Sequence, residues 1–137
     1  MKGIVTYLFV AASMVLMSAS CERDPETVPD GNVRLLISVN HHGYPIANAT
    51  VFRKDDTIGF PGYDTTLYDA RYVTDAEGNL VITGLGNGSR TMTLFAKGFD
   101  PAWDSLTVTP VSGYQFVNIS TAVGESKDFT VTIPVSE

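Results

Sequence analysis

From Val33 to the C-terminus, apolar side chains fall on alternate positions. Val33, Leu35, Ile37 and Val39 alternate with Arg34, Ser38 and Asn40, Leu36 being the exception. Met92, Leu94 and Ala96 interleave with Thr91 and Thr93, and Leu106 and Val108 with Thr107 and Thr109. Phe129, Val131, Ile133 and Val135 do the same with Thr130, Thr132 and Pro134. Successive side chains of a strand point to opposite faces, so a period of two rich in β-branched residues marks half-buried strands. No window of this region carries a helical period. Turn-forming residues separate the runs: His42-Gly43-Tyr44-Pro45, Asp75-Ala76-Glu77-Gly78-Asn79, Gly86-Asn87-Gly88 and Gly113. Strands are expected over 33–40, 47–53, 66–74, 79–84, 90–97, 104–109, 114–121 and 127–135. Residues 54–63 form the longest expected loop of the first half, and 110–126 are strand, loop or both. The pattern predicts an all-β chain, an antiparallel sandwich of seven to eight strands.

The first 20 residues are of another kind. Met1-Lys2 supplies a positive start, Ile4 to Ala19 is almost wholly apolar or small, and Ser18-Ala19-Ser20 precedes a break. That is the build of a secretory signal peptide, shorter than the ~20 residues a spanning helix needs. The chain's one cysteine, Cys21, follows directly. The segment resembles bacterial lipoprotein leaders, which are cut before a cysteine that then carries lipid. It departs from them in having Ser18 where Leu is usual. Cys21 is the expected lipidation site, with ordinary cleavage after Ser20 as the rival reading. Glu22, Asp24 and Glu26, with Pro25 and Pro29, disfavour a helix and read as an extended acidic tether. Acidic starts of this kind resemble those of Bacteroidota-type surface lipoproteins. The expected location is the bacterial cell envelope, lipid-anchored at the outer membrane, on its periplasmic or its outer side.

Three segments follow: a signal peptide over 1–20, a tether over 21–32 and one domain over 33–137. The net charge of −6 and the lack of any Lys/Arg cluster argue against nucleic acid as a partner. A single cysteine excludes an intrachain disulfide and cysteine-rich zinc patterns. The domain must therefore be held together by its core.

The order "GYPIANATVF", "YVTDAEGNLVITGL", "GSRTMTLFAKGFDP", "LTVTP" and a last apolar strand resembles the carboxypeptidase regulatory-like, transthyretin-like sandwich modules, of prealbumin/Ig-like build, over about residues 33–135. In that pattern Asp75 and Gly78 make a structural turn, Gly98 closes the next hairpin, and Leu85 plugs one end of the sandwich. The chemistry agrees: Asp bonds the amides of its own turn, and Gly accepts the left-handed conformation. The resemblance implies a non-enzymatic accessory module attached to a larger envelope protein. The family's hydroxyisourate-acting branch ends in Tyr-Arg-Gly-Ser, whereas this chain ends Ile133-Pro134-Val135-Ser136-Glu137. Pilin-type relatives form isopeptide bonds from a Lys on the first strand, and Val33 to Asn40 holds none.

No catalytic, metal or cofactor site is expected. Asp75, Glu77 and Asn79 have a calcium-loop flavour, but Gly78 comes too early for an EF-hand, and a hairpin turn explains these residues. His41 and His42 are adjacent, would point to opposite faces, and are expected in a solvated turn. No His-Glu-x-x-His or Gly-x-Ser-x-Gly motif occurs.

The loop over 54–63 offers Ile58, Phe60 and Tyr63 between glycines and a proline. With Trp103 these are the expected interface, since apolar groups on a loop tip cost solubility; the alternative is that the loop folds back over the sandwich. Phe60, Tyr63, Tyr68, Phe99 and Trp103 could equally form an aromatic platform for a sugar ring, while Trp103 could instead close the end of the core. Thr57, Thr65 and Ser105 each follow an Asp and precede an apolar residue or Thr, a pattern resembling Bacteroidota O-glycosylation sites. The expected function is that of an envelope-anchored interaction or structural module. The alternative is a surface lipoprotein binding a glycan or other small ligand.

Overall fold

Along the first strand every second residue is buried, Val33, Leu35, Ile37, Val39 and His41, while the residues between them are half-exposed. The computed structural model describes residues 29–57, 59–100 and 108–137. Its strands are β1 (Val33–His41), β2 (Tyr44–Pro45), β3 (Thr50–Asp55), β4 (Ala70–Val73), β5 (Asn79–Ile82), β6 (Gly88–Asp100), β7 (Thr109–Thr121) and β8 (Lys127–Pro134). They form an all-β sandwich of two four-stranded sheets. Cys21 and most of the tether, together with Ile58, Trp103 and Ser105, lie outside the described residues.

In the first sheet β1 is central. β8 runs along one side of it, from Val33↔Lys127 to Asn40↔Pro134. β5 and the short β2 pair with its other side. β8 is parallel to β1, which departs from the expected all-antiparallel pattern. A parallel neighbour needs a long crossover, and the whole intervening chain supplies it. The second sheet has the order β4-β3-β6-β7, antiparallel throughout.

The inner faces meet in one core. Leu35, Ile37, Ile46, Met92, Leu94 and Ile133 are fully buried, each contributing roughly 1.5–3 kcal/mol. Leu85 belongs to the same cluster. His42 (φ 50) and Gly43 (φ 83) both adopt left-handed conformations, giving the two-residue turn between β1 and β2 the twist a hairpin needs.

Several boundaries differ from the sequence pattern. Residues 66–69 do not join a strand. A 3₁₀ turn, Thr65–Leu67, occupies this stretch, with Asp64 Oδ1 accepting from the Thr66 amide at 3.0 Å. Of the expected strand over 104–109 only Val108 and Thr109 are described, and Thr109 opens β7.

Two glycines read as turn signals are strand residues instead. Gly98 closes no hairpin; it lies inside β6, where a Cβ would stand 2.9 Å from Ile46 Cγ2. Gly113 lies inside β7, where a Cβ would collide with the Pro134 carbonyl oxygen. Each is glycine because another part of the chain passes too close for a side chain. Beside Gly113, the Ser112 and Ser136 amides each donate to the other's carbonyl, at 2.9 and 3.0 Å, and tie the C-terminal end of β8 to the other sheet.

Candidate functional site

The outward face of the second sheet carries a row of aromatic rings. Val51, Leu94 and Ala96 point inward, so Phe52 on β3 and Phe95 on β6 point outward. The register aligns Phe52 with Phe95 and Phe95 with Tyr114 on β7. Left bare, three rings side by side would form a large apolar patch.

The segment between β3 and β4 folds back over this row. Phe60 stacks on Tyr114 at 4.5 Å between centroids and 15° between planes, and meets Phe95 edge-on at 5.6 Å. Tyr68 lies over Phe95 at 5.9 Å and beside Phe52 at 5.8 Å. Tyr63 stands edge-on to Phe95 at 5.7 Å. Phe95, though it faces outward, is thereby only 2% exposed. Of the two readings of this loop, the folded-back one describes Phe60: it is half-buried in a second, smaller aromatic core.

Polar contacts pin the same segment. Thr93 Oγ1 donates to the Gly59 carbonyl at 3.2 Å, and the Tyr68 hydroxyl to that of Gly62 at 2.8 Å. Asp69 accepts from the Asp55 amide at 2.8 Å and from Lys54 Nζ at 3.2 Å. These two bonds, the amide's first, hold the Asp69 carboxyl below its ordinary value. Thr66, through its hydroxyl and then its amide, does the same for Asp64. Burial raises the Tyr68 phenol.

Open grooves remain on either side of Lys97. One, of about 490 Å³, has Phe95 in its floor, Tyr63 and Phe99 at its sides, and Asn48, Thr50 and Ser112 as polar groups. The other, of about 470 Å³, runs between Tyr68 and Phe52 to Arg71, with the hydroxyls of Thr65 and Thr66. Lys97 lines both, its ammonium 5.6 Å from the centre of the Phe52 ring. Tyr63 is 73% exposed and Phe99 62%. Rings offered to solvent among hydroxyls, an amide and cations suit a flat ligand with one apolar face and a polar rim.

The other sequence-derived residues lie elsewhere. Asp75 Oδ1 accepts from the amides of Glu77 and Asn79, both at 2.9 Å, and Gly78 closes this turn with φ 75. Thr57 is occupied by a local bond to the Gly59 carbonyl at 2.9 Å, and Thr65 faces the second groove. Among the described residues no group of three His, Cys, Asp or Glu side chains is placed to hold a metal ion.

His41 was expected in a solvated turn but is buried at the end of β1. Its Nδ1 lies 2.5 Å from Asp100 Oδ2 at the end of β6, and the pair joins the two sheets. Only His42 lies in the exposed turn. The missed signal was the alternation itself, which carried one residue further puts His41 on the inner face. Phe95 and Tyr114 were missed for a related reason. Their outward positions follow from inward Leu94 and Ala96, but what covers them comes from a loop distant in sequence.

No family model matches the chain, and no curated protein matches it. Among solved structures it is similar to a Pseudomonas aeruginosa protein with a proposed carbohydrate-binding role. The identity there is 11% and the TM-score 0.43, over 78% of this chain and 90% of that one. It is also similar to part of a 9R-lipoxygenase from Cyanothece, at 16% identity and TM-score 0.32, over 88% of this chain and 20% of that one. Both likenesses are distant and concern the sandwich alone.

Proposed function

We propose that this chain is a non-catalytic binding module that takes a carbohydrate on the outer face of its second sheet, held at a bacterial envelope by lipid on Cys21. The observation that carries the reading is the pair of solvent-facing rings, Tyr63 and Phe99, bordering one apolar-floored groove in which Asn48, Thr50, Lys97 and Ser112 supply the polar groups. Neither ring is needed to fill the main core, and exposed rings cost solubility unless something meets them. A pyranose presents C–H bonds on one face and hydroxyls around its edge. The first suits an aromatic ring, the second Asn48, Thr50 and Ser112.

The leader, the cysteine and the acidic tether support a module held at a membrane and projecting from it. The accessory-module reading, in which a larger envelope protein is the partner, would use the same face and is separated by experiment. The full mature chain is applied to an array of neutral and charged oligosaccharides. Binding of a saccharide, weakened about tenfold or more by Tyr63→Ala or Phe99→Ala with the fold intact, is the expected result. An array with no bound saccharide, alongside a stoichiometric envelope protein recovered by crosslinking, would replace it with the accessory-module reading.

A further inference from the structure

We infer that this face, through the second groove beyond Lys97, selects an anionic saccharide, one bearing carboxylate or sulfate groups; this rests on the carbohydrate reading above. Two cations flank Phe52 on the outward face. Arg71 on β4 is its register partner, and the Lys97 ammonium lies 5.6 Å from its ring centre. Both side chains line the groove that also holds the hydroxyls of Thr65 and Thr66. Both residues are exposed, and no ion pair engages either of them among the described residues.

The contrast with the neighbouring charges is informative. Lys54 is paired with Asp69 at 3.2 Å and Arg53 with Asp55 at 3.1 Å, so the cations beside the loop are neutralised. Asp69 is the one carboxylate bordering this groove, and it is already engaged by Lys54 and the Asp55 amide. The chain as a whole carries a net charge of −6. Two unneutralised cations on one aromatic-floored face, either side of one ring, give an anion two points of attraction there. Arg71 offers paired donors to a carboxylate or sulfate, and Lys97 a point charge at the junction of both grooves.

The test is calorimetric titration of the full mature chain with three oligosaccharides of matched length: an oligogalacturonate, a sulfated galactan fragment and a neutral galactan fragment. The expected result is that at least one charged ligand binds about tenfold or more tighter than the neutral one at low salt. That preference should shrink at high salt, and Lys97→Gln or Arg71→Gln should bring the ratio toward one. Which of the two charged ligands prevails identifies the anion. Equal or tighter binding of the neutral fragment, or a charged preference indifferent to both substitutions, overturns the inference and leaves the carbohydrate reading standing. Failure of all three ligands also overturns it, and the carbohydrate reading then falls only if the wider array is empty too.

Discussion

The Phe60 ring lies almost flat on that of Tyr114, 4.5 Å away and tilted by 15°. One ring comes from the segment after β3, the other from β7. This contact closes the segment over Phe95 and sets where Tyr63 stands at the groove's edge.

It follows that Phe60 and Tyr63, three positions apart in the loop, should behave differently on substitution. Phe60→Ser should lower stability by about 2 kcal/mol in a denaturant titration, since it removes a half-buried ring from a stacked cluster. Tyr63→Ser should cost less than about 1 kcal/mol, because that residue is 73% exposed. Equal costs would mean the segment is not held as described.

Gly78 gives a second test. Its φ is 75, and an added Cβ would stand 2.9 Å from the Val39 carbonyl oxygen. Gly78→Ala should cost about 1–2 kcal/mol from conformation alone, with the contact adding to it. The Gly78 carbonyl also accepts from the Val39 amide at 2.9 Å, so the damage should reach β1 and appear as faster amide exchange there. A variant as stable as the wild type would contradict this.

Much of the fold is legible in the sequence, and the reasons are local. The alternation from Val33 to Val39 is β1, and the Asp75-to-Asn79 stretch is a turn because its own side chain and amides close it. The structure departs from the pattern where a distant segment decides. Gly98 and Gly113 look like turn residues, yet Ile46 and Pro134 crossing nearby are what exclude a side chain. Asp100, the partner of His41, lies 59 positions away on the other sheet. The grooves were the least legible feature, because they exist only once a loop has been laid across three strands. Aromatic content hinted at a platform, but nothing in the sequence placed Lys97 at its centre.

Acid should loosen the segment. The Asp69 and Asp64 carboxyls are held below their ordinary values, so in the folded chain they bind fewer protons than when unfolded. Their contribution is full above the unfolded value of about 3.9 and is lost as pH falls through the lower folded values. The melting-temperature advantage of the wild type over Asp69→Asn should be level from neutral pH to about pH 5, then vanish in stronger acid. An advantage unchanged in strong acid would mean that charge plays no part.

The anchor is tested at Cys21. Cys21→Ala should leave an uncleaved precursor, and the wild-type protein should carry acyl mass and sediment with membranes. Cleavage of the variant at the same site, with no acyl mass on the wild type, would establish ordinary secretion instead.

The central claim is that the outer face of the second sheet is the binding surface. The most direct measurement is mapping of backbone amide NMR shifts of the isotope-labelled mature chain as the best saccharide from the array is added. Saturable shifts are expected at Thr50, Lys97, Phe99 and Ser112, with Ser38 and Thr132 on the opposite face unmoved. Shifts confined to the first sheet, or spread without saturation over both, would contradict it.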